Sequence, residues 1–329
     1  MEIGIAYDLK SDFAAQSNDP EDRFEEYDNQ GTINGITAAL EAAGHRTRLL
    51  GGGRRFIEQV LAQPPDLVFN IAEGYGTRSR EAHIPSVLEM LRIPYTHSDP
   101  LTLAVTLDKA IAKHLVAAHG LPTPGFAVIE HLDQLGNVRL RFPVITKPLF
   151  EGSSMGIRKT SRVTDKAALR NQIERLLTDY QQPVLVEEFC GGPEFTVGVL
   201  GNGSKASVIG IMEIRPRQGN LDEFVYSLEV KRNYLEEVEY CVPPDQPPAL
   251  LDLIKQVALG AYRALDCRDI ARVDLRVSAD GKPKFIEINP LPGLNPITGD
   301  LVILSTRSGV SYDTLIERIV AAARERNRI

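Results

Sequence analysis

The sequence predicts an α/β protein built from an N-terminal doubly wound parallel sheet, a small central α+β part and a larger C-terminal α+β part. Strand-like and helix-like runs alternate through residues 1–97, which is typical of a parallel sheet with helices on both faces. Residues 98–185 combine a long helical pattern with a strand and a second helix, and residues 186–329 are rich in strands. We therefore expect three domains with these boundaries.

In the N-terminal domain the alternating runs are IGIAYD, GTINGITAALEAAG, RTRLL, FIEQVLA, DLVFNIA and SVLEMLRI. The polar stretch at residues 10–30 is too long for an ordinary connection between a strand and a helix. We expect this stretch to be a functional loop or a partly helical segment. Functional residues in such sheets gather at the carboxyl ends of the strands.

In the central domain, LTLAVTLDKAIAKHLVAAHG at residues 101–120 predicts one helix ending at Gly120, followed by the strand FPVITKPL and the helix DKAALRNQIERLLTDY. The C-terminal domain is predicted to contain the strands PVLVEEFC and EFTVGVLG, a hairpin at residues 270–293 and the closing helix SYDTLIERIVAAARER. Because GNGSK at residues 201–205 lies between two strand-like runs, it is typical of a hairpin turn rather than of a phosphate-binding loop.

Composition and charge exclude several classes of partner. The 329 residues carry a formal net charge of −7, the pI is near 5.5, and no basic stripe suited to nucleic acid is evident. No run approaches the roughly 18 apolar residues of a membrane helix, and MEIGIAYDLK predicts a first strand rather than a signal peptide. Three separated cysteines, Cys190, Cys241 and Cys267, indicate a reducing compartment. We expect a cytoplasmic protein with small-molecule substrates and no nucleic-acid or membrane partner.

The segment IARVDLRVSADGKPKFIEINPLPG, residues 270–293, predicts two strands joined by a tight turn at Asp280-Gly281. With that dipeptide at the centre, Asp274 lies opposite Glu287 and Arg272 lies opposite Asn289. Side chains alternate between faces along a strand, so these four side chains share one face. The opposite face is predicted to carry Val273, Leu275, Ile286 and Ile288.

Like charges directly opposite on a ladder, with Cβ atoms about 5 Å apart, destabilise it unless a cation lies between them. One interpretation is a solvated face on which Arg272 and Arg276 neutralise the acids. The other is a metal site, because two carboxylates and the amide of Asn289 suit Mg²⁺, which shares its remaining positions with phosphate. The run NPLPGLNP then leaves the strand and exposes N–H groups beside the acids. We therefore predict a magnesium–nucleotide site.

The phosphates of such a nucleotide need ligands, although no GxxxxGK[ST] loop and no strand-GxGxxG-helix unit occurs. The segment KPLFEGSSMGI places Lys147 on a strand before a Gly/Ser-rich loop that could fold over phosphates; the alternative is an ordinary flexible turn. Lys109 and Lys231 are further candidates, with a solvated surface position as the alternative for each. No histidine has metal-ligand spacing, and no GxSxG motif indicates a hydrolase.

Taken in order, five motifs resemble those of the ATP-grasp superfamily and, within it, the D-alanine–D-alanine ligases. They are TLDKAIAK (106–113), VITKPLFEGSSMGI (144–157), VLVEEFCGGPEFTVGVLG (184–201), VKRNY (230–234) and IARVDLRVSADGKPKFIEINPLPGLN (270–295). The resemblance extends over residues 85–315. It implies the ATP-grasp fold with ATP between the last two domains, Mg²⁺ or alternatively Mn²⁺ as the metal, and a homodimer.

The resemblance also implies a role for each matching residue. The implied nucleotide ligands are Lys109 and Lys147 at the α- and β-phosphates, Lys231 at the γ-phosphate, the backbone of Glu187, Glu188, Phe189 and Cys190 at the adenine, and Glu194 at the ribose. The implied metal ligands are Asp274, Glu287 and Asn289. Ser153 and Ser154 belong to the loop that closes over the phosphates, and Arg272 with the backbone of Gly293 stabilises an oxyanion.

The implied reaction joins a carboxylate to an amine through an acyl phosphate, with release of ADP and phosphate, and D-alanine is the expected substrate. Departures from the family's pattern concern the amino-acid half of the site. YDLKSDFAAQSNDPED does not match the family's Ser-x-Glu segment, and AEGYGTRSREAH places Arg80 about where an acid is expected. Two alternatives therefore stay open: a ligase for other amino acids or a small non-peptide carboxylic acid, and a nucleotide-binding module without turnover.

Overall fold

The computed structural model describes residues 1–17 and 19–329. Its helices are α1 (Gln30–Ala42), α2 (Gly53–Ala62), α3 (His83–Leu91), α4 (Pro100–Leu107), α5 (Lys109–Ala118), α6 (Lys166–Tyr180), α7 (Leu228–Arg232), α8 (Tyr234–Glu237), α9 (Pro248–Ala264), α10 (Asp300–Arg307) and α11 (Tyr312–Asn327). Its strands are β1 (Glu2–Ala6), β2 (Arg46–Leu49), β3 (Leu67–Asn70), β4 (Phe126–Ile129), β5 (Val144–Pro148), β6 (Arg162–Val163), β7 (Val184–Glu188), β8 (Glu194–Leu200), β9 (Ser207–Pro216), β10 (Val238–Cys241), β11 (Ile270–Val277) and β12 (Pro283–Asn289). None of the helices in the described residues combines the length and the apolar composition that a membrane span requires.

In the N-terminal sheet, β1 pairs in parallel with β2 on one side and with β3 on the other. Side chains alternate between the faces, since Ile3 and Ile5 pack with α1 and α11 while Ala6 packs with α2 and α3. The doubly wound parallel sheet predicted for this part of the chain is confirmed. Because α11 covers one face, the last helix of the chain completes the core of the first sheet.

The central sheet has the strand order β4-β7-β5-β6, and every pairing in it is antiparallel. Helix α6 packs on this sheet through Leu169, Ile173 and Leu176. Because β7 is an inner strand, the predicted boundary at residue 185 falls inside a strand of the central sheet. A boundary after β7 fits this sheet better, and the division into domains stays a prediction.

The C-terminal sheet has the strand order β10-β9-β8-β11-β12 and is antiparallel. One face packs on α9, with Phe195, Val273 and Phe285 in a shared apolar core. The other face carries Asp274 and Glu287 and lines a cleft. The segment GNGSK joins the antiparallel strands β8 and β9, so its prediction as a hairpin turn is confirmed.

The hairpin of β11 and β12 has the predicted pairing at its acidic end, where Asp274 lies opposite Glu287. Nearer the turn a bulge between Asp274 and Leu275 shifts the register by one residue, so the turn is centred on Asp280 alone. The extra residue on β12, Ile286, lines the cleft. Its predicted place on the apolar face is therefore wrong.

Two helices replace the single helix predicted for residues 101–120. The carboxylate of Asp108 accepts hydrogen bonds from two N–H groups of the first turn of α5 and so caps a new helix. Gly120 follows α5 with a φ of 75°, as expected for a glycine after a helix. The break places Lys109 at the first residue of α5.

The polar stretch at residues 10–30 is predominantly a loop. Its regular structure is a short 3₁₀ turn at Lys10–Asp12. The rings of Phe13, Phe24 and Tyr27 stack on one another, with centroids 4.4 Å apart for Phe13 and Tyr27. This stacking gives the loop an apolar core of its own.

Candidate active site

A cleft between the central and C-terminal sheets, called here the main cleft, collects most of the predicted site residues. The predicted residues that line it are Lys147, Ser154, Glu187, Glu188, Phe189, Cys190, Glu194, Lys231, Arg272, Asp274 and Glu287. An adjoining cavity shares Arg272 and Glu287 with the main cleft and holds the other predicted residues. These are Lys109, Ser153, Asn289 and Gly293.

Asp274 is held tightly at the base of the main cleft. Its carboxylate accepts hydrogen bonds from Arg272 Nη2 at 2.9 Å, Thr196 Oγ1 at 2.8 Å and Asn289 Nδ2 at 3.2 Å. The side chains of Asp274 and Glu287 are only 14% and 24% exposed. The two acids therefore lie in a cleft that they share with Lys147, not on a solvated outer face.

The two facing acids differ in their electrostatic surroundings. Burial raises the pKa of Asp274, against the opposing effect of Arg272. Burial also acts to raise the pKa of Glu287, but Lys109, Lys147 and Arg272 outweigh it and lower this pKa to about 2. Glu287 is therefore ionised at every ordinary pH, with cations on several sides.

The donor set fits Mg²⁺ in kind, since two carboxylates and an amide are hard oxygen ligands. In the part of the chain that the structure describes, no group of three or more His, Cys, Asp or Glu side chains is suited to a metal ion. A cation between Asp274 and Glu287 would therefore depend on Asn289, phosphate or water for its other ligands. The Asn289 amide donates to Asp274 here, so it would have to turn its oxygen toward such a cation.

Lys147 extends from β5 into the main cleft and is paired with Glu187. The carboxylate of Glu187, 2% exposed, lies 2.6 Å from Lys147 Nζ and 2.5 Å from Lys113 Nζ. Burial lowers the pKa of Lys113 to about 8, whereas the pKa of Lys147 is raised because nearby carboxylates outweigh burial. Sequence reasoning missed Lys113, although it lies in TLDKAIAK four residues after Lys109. The side chain of Glu187 thus positions a lysine.

The backbone of the segment Glu187–Cys190 is only partly free for a ligand. The N–H of Glu188 donates to the carbonyl of Gly125 at 2.8 Å, and the N–H of Phe189 donates to Pro143 at 3.0 Å. Among the described residues, the N–H of Cys190 has no hydrogen-bond acceptor. Within the four-residue segment predicted to read a base through its backbone, Cys190 therefore carries the N–H best suited to that contact.

Arg276 lies beside the predicted residues Phe189 and Glu194 in the main cleft. Its guanidinium stacks on Phe189, 4.4 Å from the ring centroid, and lies 3.7 Å from Glu194. It also donates to the carbonyl of Phe224 at 2.6 Å. Sequence analysis considered Arg276 only as a residue that neutralises the acids, although the alternation along β11 places it on the same face as Asp274.

Ser153 and Ser154 lie side by side in the left-handed region, with φ of 49° and 59°. Two successive non-glycine residues in this region are strained, and such strain gathers at functional sites. Ser154 faces the main cleft and donates to the carbonyl of Tyr226 at 3.3 Å, while Ser153 faces the adjoining cavity. The loop therefore contributes one serine to each space.

The polar loop at residues 10–30 holds this serine loop through Asp22. The fully buried Asp22 carboxylate accepts hydrogen bonds from the Gly156 N–H at 2.9 Å, the Tyr180 hydroxyl at 2.7 Å and Arg158 Nη1 at 3.0 Å. Residues 10–30 were expected to form either a functional loop or a partly helical segment. These contacts agree with the first expectation, because the loop holds the serine loop in place.

The adjoining cavity, called here the acidic cavity, contains four carboxylates that sequence reasoning missed: Glu26, Asp28, Glu73 and Glu81. Asp28 and Glu73 follow β1 and β3 in the chain, so the carboxyl-end rule for parallel sheets was the available signal. Lys109 lines the same cavity, donates to the carbonyl of Glu151 and lies 4.0 Å from Glu287.

Arg80 does not line the acidic cavity. Its guanidinium turns to Glu26 at 2.5 Å and to the carbonyl of Phe150 at 3.0 Å. The next residue, Glu81, points into the cavity instead. The positive charge of Arg80 is therefore neutralised by Glu26, which itself lines the cavity.

Comparisons with known proteins agree with this architecture. The model of the D-ala D-ala ligase C-terminus family matches residues 115–321. A D-alanine–D-alanine ligase of Bordetella petrii is 34% identical over 88% of this chain and 85% of that protein. An uncharacterized protein, y4sG, of Sinorhizobium fredii is 35% identical over 90% of this chain and 89% of that protein.

Two solved structures share the fold. A D-alanine–D-alanine ligase from Bacillus anthracis, complexed with ATP, has a TM-score of 0.73 at 23% identity and covers 100% of this chain and 99% of its own. The VanG D-Ala:D-Ser ligase from Enterococcus faecalis has a TM-score of 0.72 at 19% identity, with 98% and 99% covered. With the matched family model and relatives above, the chain belongs to the D-alanine–D-alanine ligase family of the ATP-grasp superfamily and is an ATP-dependent ligase that forms a carbon–nitrogen bond.

Proposed function

We propose that the protein joins a carboxylic acid to an amine through an acyl phosphate, with D-alanyl-D-alanine formation as the first candidate reaction. The observation that carries this proposal is the Asp274–Glu287 pair, which lines one cleft together with Lys147 and Lys231. Facing acids and several lysines in one cleft suit a metal–triphosphate complex, in which both signs of charge are needed.

The nucleotide is proposed to lie along the main cleft. The Cys190 N–H, left without an acceptor among the described residues, suits a ring nitrogen of the adenine. The proposed phosphate and ribose ligands are Lys109, Lys147, Lys231 and Glu194. Burial lowers the pKa of Lys231. Burial also acts to lower the pKa of Lys147, but Glu187 outweighs this effect together with other carboxylates, and the pKa of Lys147 is raised. Phosphate oxygens would restore the charged form of a buried lysine.

The proposed metal ligands are Asp274, Glu287 and Asn289. When bound, Mg²⁺, or Mn²⁺ in its place, would offset the charge of the phosphates. The amide of Asn289 and the carboxylates supply oxygen ligands only, which favours a hard cation over a soft one.

In the first proposed step, an oxygen of the substrate carboxylate attacks the γ-phosphorus, and the bond to the β-phosphate oxygen breaks to release ADP. Two anions approach each other, so Lys109 and Lys231 must neutralise them in a cleft where charges interact more strongly than in water. Ser153 and Ser154 would help the loop exclude water from the acyl phosphate.

In the second step the amine nitrogen attacks the acyl carbon, loses a proton and displaces inorganic phosphate. Negative charge develops on the carbonyl oxygen. Arg272, already fixed by two hydrogen bonds to Asp274, offers a planar set of donors to this oxygen, with the N–H of Gly293 beside it. The chemistry needs no covalent enzyme intermediate.

The proposal is tested by phosphate release from ATP in the presence of single carboxylic acids. Release with D-alanine and the appearance of the dipeptide support the first candidate. Release only with another acid supports a ligase of different specificity. No release with any acid, despite tight ATP binding, contradicts turnover and favours a nucleotide-binding module.

A homodimer and a cytoplasmic location, both implied earlier, stay predictions. Light scattering of the purified protein tests the first, and a mass near twice 36.3 kDa is the expected result. Cell fractionation tests the second.

A further inference from the structure

The acidic cavity carries more negative charge than the binding of one amino group requires. Glu26, Asp28, Glu73 and Glu81 reach it from the N-terminal part of the chain. Lys109 and Arg272 reach it from the central and C-terminal parts. The cavity therefore combines a group of acids from the N-terminal part, together with Glu287 of β12, with two cations from the other parts of the fold.

Glu26 is paired with Arg80, but Asp28, Glu73 and Glu81 lack a paired cation in the described part of the chain. Among the described residues none of these three acids forms a salt bridge, and Glu73 and Glu81 make no side-chain hydrogen bond either. Glu81 is only 9% exposed. The nearby arginine, Arg80, is engaged by Glu26 at 2.5 Å, and Lys109 is engaged by Glu287 and the Glu151 carbonyl. Burying unpaired carboxylates side by side is costly unless a ligand supplies the missing charge.

The pKa values agree with missing positive charge. Burial, followed by the effect of neighbouring acids, raises the pKa of Glu73. Burial raises the pKa of Asp28 to about 6 and that of Glu81 to about 7, the latter against the effect of Arg80. A cation bound among them would lower all three values.

A metal ion held by protein carboxylates alone does not fit this cavity. In the described residues no three acids converge closely enough to ligate one. Carboxylates that face one cavity without converging suit a longer molecule with separated positive groups. At the same time, a substrate of this enzyme must present a carboxylate toward Lys109 and Arg272.

We propose that the first substrate is a diamino or guanidino carboxylic acid, of the ornithine, lysine or arginine type, whose two cationic groups contact Asp28, Glu73 and Glu81. This inference rests on the proposed ligase function and names its substrate class. The α-ammonium and the side-chain cation would take the place of counter-ions that the chain does not provide.

The test compares pairs of acids that differ by one charged group. Phosphate release from ATP is measured with ornithine against norvaline and with lysine against norleucine, in both enantiomers, each alone and with D-alanine as amine. We expect kcat/KM to be at least 10-fold higher for the diamino acid of a pair. Glu81→Gln and Glu73→Gln are expected to reduce this ratio about 10-fold and leave the KM for ATP unchanged.

The matched control is Glu58→Gln, an acid of α2 whose side chain is 61% exposed and lies outside both spaces; it should leave the ratio unchanged. Circular dichroism checks that each variant is folded, and the wild-type comparison stands without any variant. Release with D-alanine that is no slower than with ornithine or lysine would overturn the inference and leave the proposed function intact. If none of the tested acids gives phosphate release, both the inference and the proposed function are overturned.

Discussion

Asp274 and Glu287 lie directly opposite each other on β11 and β12, and the cleft that they line also holds Lys147. Like charges at such positions oppose strand pairing. Here Arg272 binds Asp274 with two donors, and Lys109 lies 4.0 Å from Glu287. Neighbouring cations therefore reduce the repulsion between the two facing acids. Such a pair of acids is expected where a ligand binds.

Lys113 and Lys147 share Glu187 but are predicted to differ in function. Lys113 is fully buried and does not line the main cleft. We expect Lys113→Met to lower the free energy of unfolding by about 3 kcal/mol, because it removes one partner of a buried ion pair. We expect Lys147→Met to raise the KM for ATP at least about 10-fold, because a phosphate ligand is lost.

Thermal unfolding and ATP kinetics of both variants distinguish these effects. Lys205→Met, at a surface lysine that is 72% exposed, is the control and should change neither quantity. Equal changes in the KM for ATP in Lys113→Met and Lys147→Met would be inconsistent with the separate roles.

Asp22 is predicted to order the serine loop. The buried Asp22 carboxylate accepts hydrogen bonds from three residues. In Asp22→Asn the Gly156 N–H and Arg158 therefore lose a charged acceptor. We expect amide hydrogen exchange at Gly156 to become at least about 10-fold faster. Glu21→Gln is the control, since Glu21 also pairs with Arg158 but is 68% exposed. Unchanged exchange in Asp22→Asn would disprove the ordering role.

The sequence predicted the pairing of Asp274 with Glu287 better than it predicted the residues of the acidic cavity. Asp274 and Glu287 lie on adjacent strands of one hairpin, so alternation and one turn were enough to pair them. The bulge that moves Ile286 into the cleft has no signature in the residues themselves. The helix break at Asp108 did have one, because aspartate is a preferred N-cap residue.

The acidic cavity could not be read in the same way. Asp28 lies in the connection between β1 and α1, whereas Glu73 and Glu81 lie in the connection between β3 and α3. The carboxyl-end rule indicates where these connections meet, but it does not show which of their side chains face the cavity. Arg80 illustrates the difficulty, since a residue's position in a motif does not determine which way its side chain points. The pairing of Lys113 and Lys147 with Glu187 was not predicted for the same reason, because the sequence does not show which way these side chains point.

Glu81 is predicted to make stability depend on pH. Its pKa is about 7 in the folded protein, chiefly because of burial, with Arg80 and Lys109 opposing the effect and Glu26 and Glu151 adding to it. The folded state therefore binds more protons than the unfolded state between about pH 4.5 and 7, so stability falls as pH rises through this window.

Because Glu81→Gln removes this penalty, we expect a higher Tm than wild type at pH 8, on the order of 2 °C, and no gain at pH 5. Differential scanning fluorimetry across this range is the measurement. Glu174→Gln, at an exposed position of α6, is the control. A gain of the same size at both pH values would contradict the pKa shift as its cause.

Arg272 is predicted to act on the second chemical step. Arg272→Lys keeps the charge but loses the planar pair of donors, so we expect kcat to fall about 100-fold or more. The KM for ATP should change little. Steady-state kinetics with Arg54→Lys as control, at an arginine that is 91% exposed, check this. A near-normal kcat would exclude Arg272 from oxyanion stabilisation.

The most direct measurement is the affinity of a non-hydrolysable ATP analogue, by calorimetry, with and without Mg²⁺ in wild type and in Glu287→Gln. Because Asp274 and Glu287 are proposed to hold the cation that binds the triphosphate, Mg²⁺ should tighten binding at least about 10-fold in wild type and far less in Glu287→Gln. An equal effect of Mg²⁺ on both proteins would contradict a metal site at these facing acids.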